Sequence, residues 1–184
     1  MTYRLGDLVS LSETKNRDAL YDLSNLKGIS IKKVFIETKA DMTDVSLHNY
    51  LVVPPDAFAY VPITSRNGEK ITIAHNDTLN TYIVSSSYIV FCVTAREVLS
   101  HEYLYMYFNR PEFDRYARFN SWGSAREAFS WNDMCDIKIN LPSLAVQEKY
   151  AATYMSITKN ENYRLRLGNI APILIKGSLE EAKA

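Results

Sequence analysis

The chain has 184 residues, 47% hydrophobic and 23% charged, which suits one globular domain with a real core plus an appendage. Lys plus Arg and Asp plus Glu both number 21, so no basic excess marks a free-standing nucleic-acid binder and no acid excess marks a nucleic-acid mimic. A module whose partner supplies much of the phosphate neutralisation stays open.

Residues 4–12 form a short opening element, followed by a polar loop. Ile29, Ile31, Val34 and Phe35 predict a strand interrupted by Lys32 and Lys33. Tyr50 to Val53 predicts another, stopped by Pro54-Pro55. Phe58 to Val61 and Ile71 to Ile73 flank Asn67-Gly68, a dipeptide that accepts φ above zero at both positions, and so predict a hairpin. Arg66 precedes that turn and Lys70 follows it; with Asn67 they either enter a DNA groove or merely solvate a turn. Ile83-Val84 and Tyr88 to Val93 read as two more strands.

From Ser100, a plausible cap, to Asn109 the pattern is helical, and Pro111 opens a second helix in which Phe113 and Tyr116 share a face. A loop at Gly123-Ser124-Ala125-Arg126-Glu127, a turn at Trp131-Asn132-Asp133 and a strand at 137–140 follow. No Gly or Pro interrupts Ser143 to Leu167, which predicts a helix about 37 Å long. Its apolar residues Leu144, Ala151, Tyr154, Met155, Ile157 and Leu165 make a stripe wide enough to pack on another helix. Gly168 and Asn169 end it, with Pro172 beyond; Ser178 and Glu181 then form a capping box just before the chain stops. The domain boundaries are therefore expected at 1–142 and 143–184.

The N-terminus has no charged-then-apolar leader, and the longest apolar run is too short to span a bilayer. Cys92 and Cys135 form no CxxC. A cytoplasmic protein with free thiols is expected. Catalytic motifs are scarce. His101-Glu102 begins like a zinc-protease helix, but the fifth position is Tyr105; His48 and His75 lack Cys or His at ligand spacing. No Gly-rich phosphate loop occurs, and Val53-Pro54-Pro55-Asp56 has the prolines of a methyltransferase loop without its companions. The best enzymatic alternative is a divalent-metal nuclease built on Asp22, Glu37 and Lys39, since an acid pair with Lys can hold an ion and activate water. A stand-alone DNA-binding regulator is a second alternative.

The loop from Gly123 to Glu127, the acidic turn after it and Ile137 to Tyr150 resemble the target recognition domain and conserved helix of a type I restriction–modification specificity subunit. Lys27 to Ser30 with Phe35 to Asp41, Phe58-Ala59-Tyr60 with Thr64-Ser65-Arg66, Ile83 to Ser85 with Tyr88 to Phe91, and Arg110 to Tyr116 fit the same family in order and spacing. The expected fold is α+β: a twisted, mostly antiparallel, partly barrel-like sheet with peripheral helices, then a long C-terminal helix.

The resemblance implies a non-catalytic subunit that reads one half of a bipartite DNA target. The C-terminal helix would set spacing, dock methyltransferase (modification) subunits and offer a face for pairing with a second copy. S-adenosylmethionine would arrive with the modification subunits, and ATP and Mg²⁺ with a restriction subunit; the chain itself would hold no cofactor. Whole family members carry two such domains, so this chain resembles half a subunit or a fragment. The DNA contacts expected are Lys33, Lys39, Ser65, Arg66, Asn67, Lys70, Ser124 and Arg126. Arg66 would read a guanine through its two-pronged guanidinium, whereas Lys33 and Lys39 would hold the backbone as point charges. Arg126 has two open roles: a clamp on Glu127, Asp133 or Asp136, or a contact to base or phosphate beside the tight backbone at Gly123 and Ser124.

Overall fold

A computed structural model describes residues 1–38, 40–42, 44–64, 70–124 and 126–160. Its centre is a four-stranded antiparallel sheet in the order β2 (Val9–Leu11), β9 (Ile89–Val93), β6 (Phe58–Tyr60), β7 (Ile73–His75). Strand side chains alternate between faces, and this sheet uses the alternation to build two different layers. Phe58, Tyr60 and Phe91 point to one face and meet Phe108, Phe113 and Phe129 from beyond the sheet; Phe58 stacks on Phe91 at 5.1 Å and Phe108 packs on Phe113 at 4.6 Å. Ala59 and Val90 point to the other face. Their small side chains let the pair β5 (Leu51–Val53) and β8 (Tyr82–Val84) lie close, through Leu51, Val53 and Val84.

Three helices cover the aromatic face. Ser100 caps α1 (His101–Phe108) by accepting from the Tyr103 N–H at 3.2 Å, and Pro111 stands at the first turn of α2 (Pro111–Phe119). The third, α3 (Trp131–Cys135), corrects the expected plain turn there: Ser130 and Asp133 form a reciprocal capping box that starts a short helix. The region closes on itself, because β1 (Thr2–Arg4) pairs antiparallel with β12 (Lys138–Asn140).

Two further expectations change. The interrupted strand at 29–35 is a hairpin, β3 (Lys27–Ile29) with β4 (Phe35–Glu37), turning where Lys33 takes φ 61°. Instead of a partly barrel-like sheet, the described strands form one four-stranded and four two-stranded sheets, with no closed barrel among the described residues. The other small sheet joins β10 (Ser121–Trp122) to β11 (Ala128–Phe129). The predicted hairpin at Asn67-Gly68 is present as the β6–β7 pair, with Tyr60 opposite Ile73; its tip lies outside the described residues.

After β12 a helix, α4, runs over 144–160, and the rest of the predicted helix, Leu165 included, lies outside the described residues. Gln147 is fully buried: its amide donates to the carbonyls of Val98 (2.8 Å) and Pro142 (3.0 Å) and accepts from the Ser100 N–H (3.1 Å). The start of α4 is thereby fastened to the segment that caps α1. Among the described residues no helix is long and apolar enough to cross a membrane.

Candidate nucleic-acid interface

The segment between β6 and β7 emerges from two anchored ends. Thr64 donates its N–H to the Glu127 carbonyl at 2.9 Å, and Ile71 donates its N–H to the Asp114 carboxylate at 3.2 Å. The first bond sets Thr64 beside the β10–β11 hairpin, and the second sets Ile71 beside α2. Ser65, Arg66 and Asn67 lie outside the described residues, as does Lys39. Lys70 is exposed and shares a shallow groove with Arg115, Arg118 and Phe119 of α2. Phe119 is 78% exposed and Trp122, at the end of β10, 67% exposed.

The β10–β11 loop is held by backbone geometry. Gly123 has φ +141°, and a Cβ there would collide with the Arg126 carbonyl oxygen, so no side chain fits. Ser124 and Arg126 are exposed beside it. The three carboxylates considered for an Arg126 clamp are engaged elsewhere: Glu127 pairs with Arg118, Asp133 caps α3 through Ser130, and Asp136 pairs with Arg4 at 2.7 Å. Arg115 pairs with Glu112 at 3.1 Å. Among the described residues neither Lys70 nor Arg126 is in an ion pair, and Arg110, just before α2, packs on the Tyr107 ring instead of an acid.

Lys33 corrects the expectation of a backbone-contacting lysine. Its side chain is 4% exposed, and its ammonium sits 2.7 Å from the Asp114 carboxylate and 2.6 Å from the Phe108 carbonyl. Burial pulls its pKa down, and the bond to Asp114 pushes it back up. Tyr105 donates its hydroxyl to the Lys33 carbonyl at 3.0 Å, so this lysine staples the β3–β4 hairpin to α1 and α2 and is unavailable to phosphate. The acid pair of the nuclease alternative is likewise engaged. Asp22 caps the 3₁₀ turn Leu23–Asn25, and Glu37 pairs with Lys27 at 2.5 Å.

The docking stripe is divided by the fold. Ala151 is buried against the chain's own domain, while Leu144, Tyr154 and Met155 are half-buried; Ile157 is 55% exposed. Part of the face expected to serve a partner is therefore already covered, and Gln147, absent from the predicted stripe, is its main polar attachment.

One cluster was illegible in the sequence. Asp56, His75 and His101 come from a turn, the end of β7 and the start of α1, and offer donor atoms all within 4.8 Å of one another. Their spacing follows no ligand motif; only the β6–β7 pairing and the packing of α1 on it bring them together. Burial, with His101 second, lowers the His75 pKa to about 4, so this ring is neutral at physiological pH.

No protein-family profile and no curated protein sequence matches the chain. Solved structures do. The HsdS subunit from Thermoanaerobacter tengcongensis superposes with a TM-score of 0.63 at 18% identity, over 91% of this chain and 44% of that one. The type I restriction-modification system S subunit from M. genitalium gives 0.54 at 11% identity, over 93% and 40%. The chain thus spans less than half the length of either. It has the fold of type I restriction–modification S subunits.

Proposed function

We propose that the chain is a DNA-recognition module of a type I restriction–modification specificity subunit, reading one half of a bipartite target and docking methyltransferase subunits through the helical region after residue 142. It performs no chemistry itself; S-adenosylmethionine, ATP and Mg²⁺ belong to modification and restriction partners. The observation that supports this reading, on an S-subunit fold, is that Thr64 and Ile71, at the two ends of the β6–β7 connection, are bonded to Glu127 of the β10–β11 hairpin and to Asp114 of α2. Lys70, Phe119, Trp122 and Arg126 are exposed on these neighbouring elements. Cations at loop tips contact phosphate or base edges, and exposed rings stack on or wedge between bases.

With 21 Lys and Arg against 21 Asp and Glu the chain has no basic excess, so alone it should hold DNA weakly and require its partner. The test is duplex retention by the full chain, by a methyltransferase subunit of the same genome, and by their mixture. The mixture should retain duplex that neither component retains alone, and the chain alone should neither cut nor methylate DNA. Mg²⁺-dependent cleavage by the chain, abolished by Glu37→Ala, would overturn the reading.

A further inference from the structure

The cluster of Asp56, His75 and His101 has the chemistry and spacing of a metal centre. His75 Nε2 and His101 Nδ1 stand 3.2 Å apart. Two imidazole nitrogens on one tetrahedral ion, each at ~2.0–2.1 Å from it, are separated by about 3.3 Å. The Asp56 carboxylate lies nearest the other nitrogen of the His101 ring, with Oδ1 at 3.7 Å from Nε2, and the Glu102 carboxylate stands 3.4 Å from Nδ1; one imidazole gives a single ion only one nitrogen, so the shared site rests on the donor atoms, one from each of Asp56, His75 and His101, that lie within 4.8 Å of one another.

The surroundings fix these groups. Arg96 donates to the other Asp56 oxygen at 3.2 Å, and the Ser100 hydroxyl donates to Glu102 at 2.7 Å, as outer partners orient metal-binding carboxylates. Asp56 holds φ 64° in the turn after Pro54-Pro55, a left-handed conformation tied by its N–H to the Asn76 carbonyl at 2.9 Å. His75 is wedged between Phe58 and Tyr105, with ring centroids at 4.7 and 5.7 Å, so its ring cannot swing away. The start of α1 presents the positive end of the helix dipole here, which disfavours a cation; the two carboxylates offset it.

We propose that Asp56, His75 and His101 bind one divalent transition metal ion of the zinc class, with Glu102 available to close the coordination sphere. Two imidazoles with carboxylate suit such an ion better than Mg²⁺ or Ca²⁺, which prefer oxygen donors throughout. The ion would lock the β5–β6 turn and the end of β7 to the start of α1, next to Ser100, where Gln147 fastens α4. The centre is separate from the DNA-facing loops and does not depend on their role.

Titration of the full chain with Co²⁺, followed by visible absorption and calorimetry, tests the site, with Zn²⁺ displacing Co²⁺. The chain contains only three histidines, so His48→Gln is a clean control. One equivalent should bind to the wild type and to His48→Gln, with the intense visible bands of four-coordinate Co²⁺. Because His75 is buried, its replacement threatens folding; His101→Gln and Asp56→Asn are half-exposed alternatives. Losing an outer partner of a metal site costs roughly 10–100-fold in affinity, so His101→Gln and Asp56→Asn should each weaken binding at least that much. No uptake by the wild type, or equal uptake by His101→Gln, overturns the site; unchanged affinity in Asp56→Asn overturns the carboxylate's place in it.

Discussion

At the scale of single residues, Lys33 shows how far position along the chain can mislead about role. A lysine pair in an apolar run reads as surface charge, yet Lys33 is buried on Asp114, which lies on α2 and is distant in sequence. Removing one member of a buried ion pair leaves the other charge uncompensated, at a cost of about 3–5 kcal/mol. Lys33→Ala should therefore lower the denaturation midpoint sharply, and urea unfolding followed by tryptophan fluorescence would measure it. If the variant instead keeps full stability while its partner-assembled complex loses one unit of salt dependence, Lys33 is a phosphate contact after all. Arg126 is the converse case. Its sequence context fits both a clamp and a contact, and Glu127, Asp133 and Asp136 are each engaged by other groups.

At the scale of elements, local signals were legible wherever the determining chemistry is local. Ser100 and Pro111 mark the starts of α1 and α2, and Asn67-Gly68 marks the β6–β7 pairing. The Ser130–Asp133 capping box is an equally local signal, and it makes a short helix, α3, of the turn expected at Trp131-Asn132-Asp133. Long-range partners were not legible: the β3–β4 hairpin, the Asp56–His75–His101 cluster and the burial of Gln147 all arise from tertiary packing. Gln147 sets a sharp prediction. Gln147→Ala strands the Ser100 N–H and two carbonyls, and an unsatisfied buried group costs about 1–3 kcal/mol. Thermal unfolding should show that loss, and amide exchange at Ser100 should accelerate. Ile157→Glu, on the exposed side of α4, should leave the unfolding midpoint unchanged but abolish co-purification with a methyltransferase subunit. Intact co-purification would mean that the described part of α4 serves only its own domain.

At the scale of the whole molecule, the fold separates two surfaces. The ends of the β6–β7 connection, Thr64 and Ile71, are bonded to the β10–β11 hairpin and to α2, while α4 leaves from the Ser100–Gln147 junction. A neutral net charge fits such a body, because recognition then rests on a few placed side chains and on a partner's field rather than on a general attraction to nucleic acid. In the proposed function this chain chooses the DNA sequence on which a methyltransferase acts. The most direct measurement is to co-express the full chain with a methyltransferase subunit of the same genome and sequence the methylated positions, for the wild type and for Arg126→Ala. The account predicts methylation confined to sites that share one short sequence element, and loss or relaxation of that element in Arg126→Ala, at about 1–3 kcal/mol of discrimination for a base contact. Methylation that is absent, or whose pattern is the same with and without the chain, would contradict it.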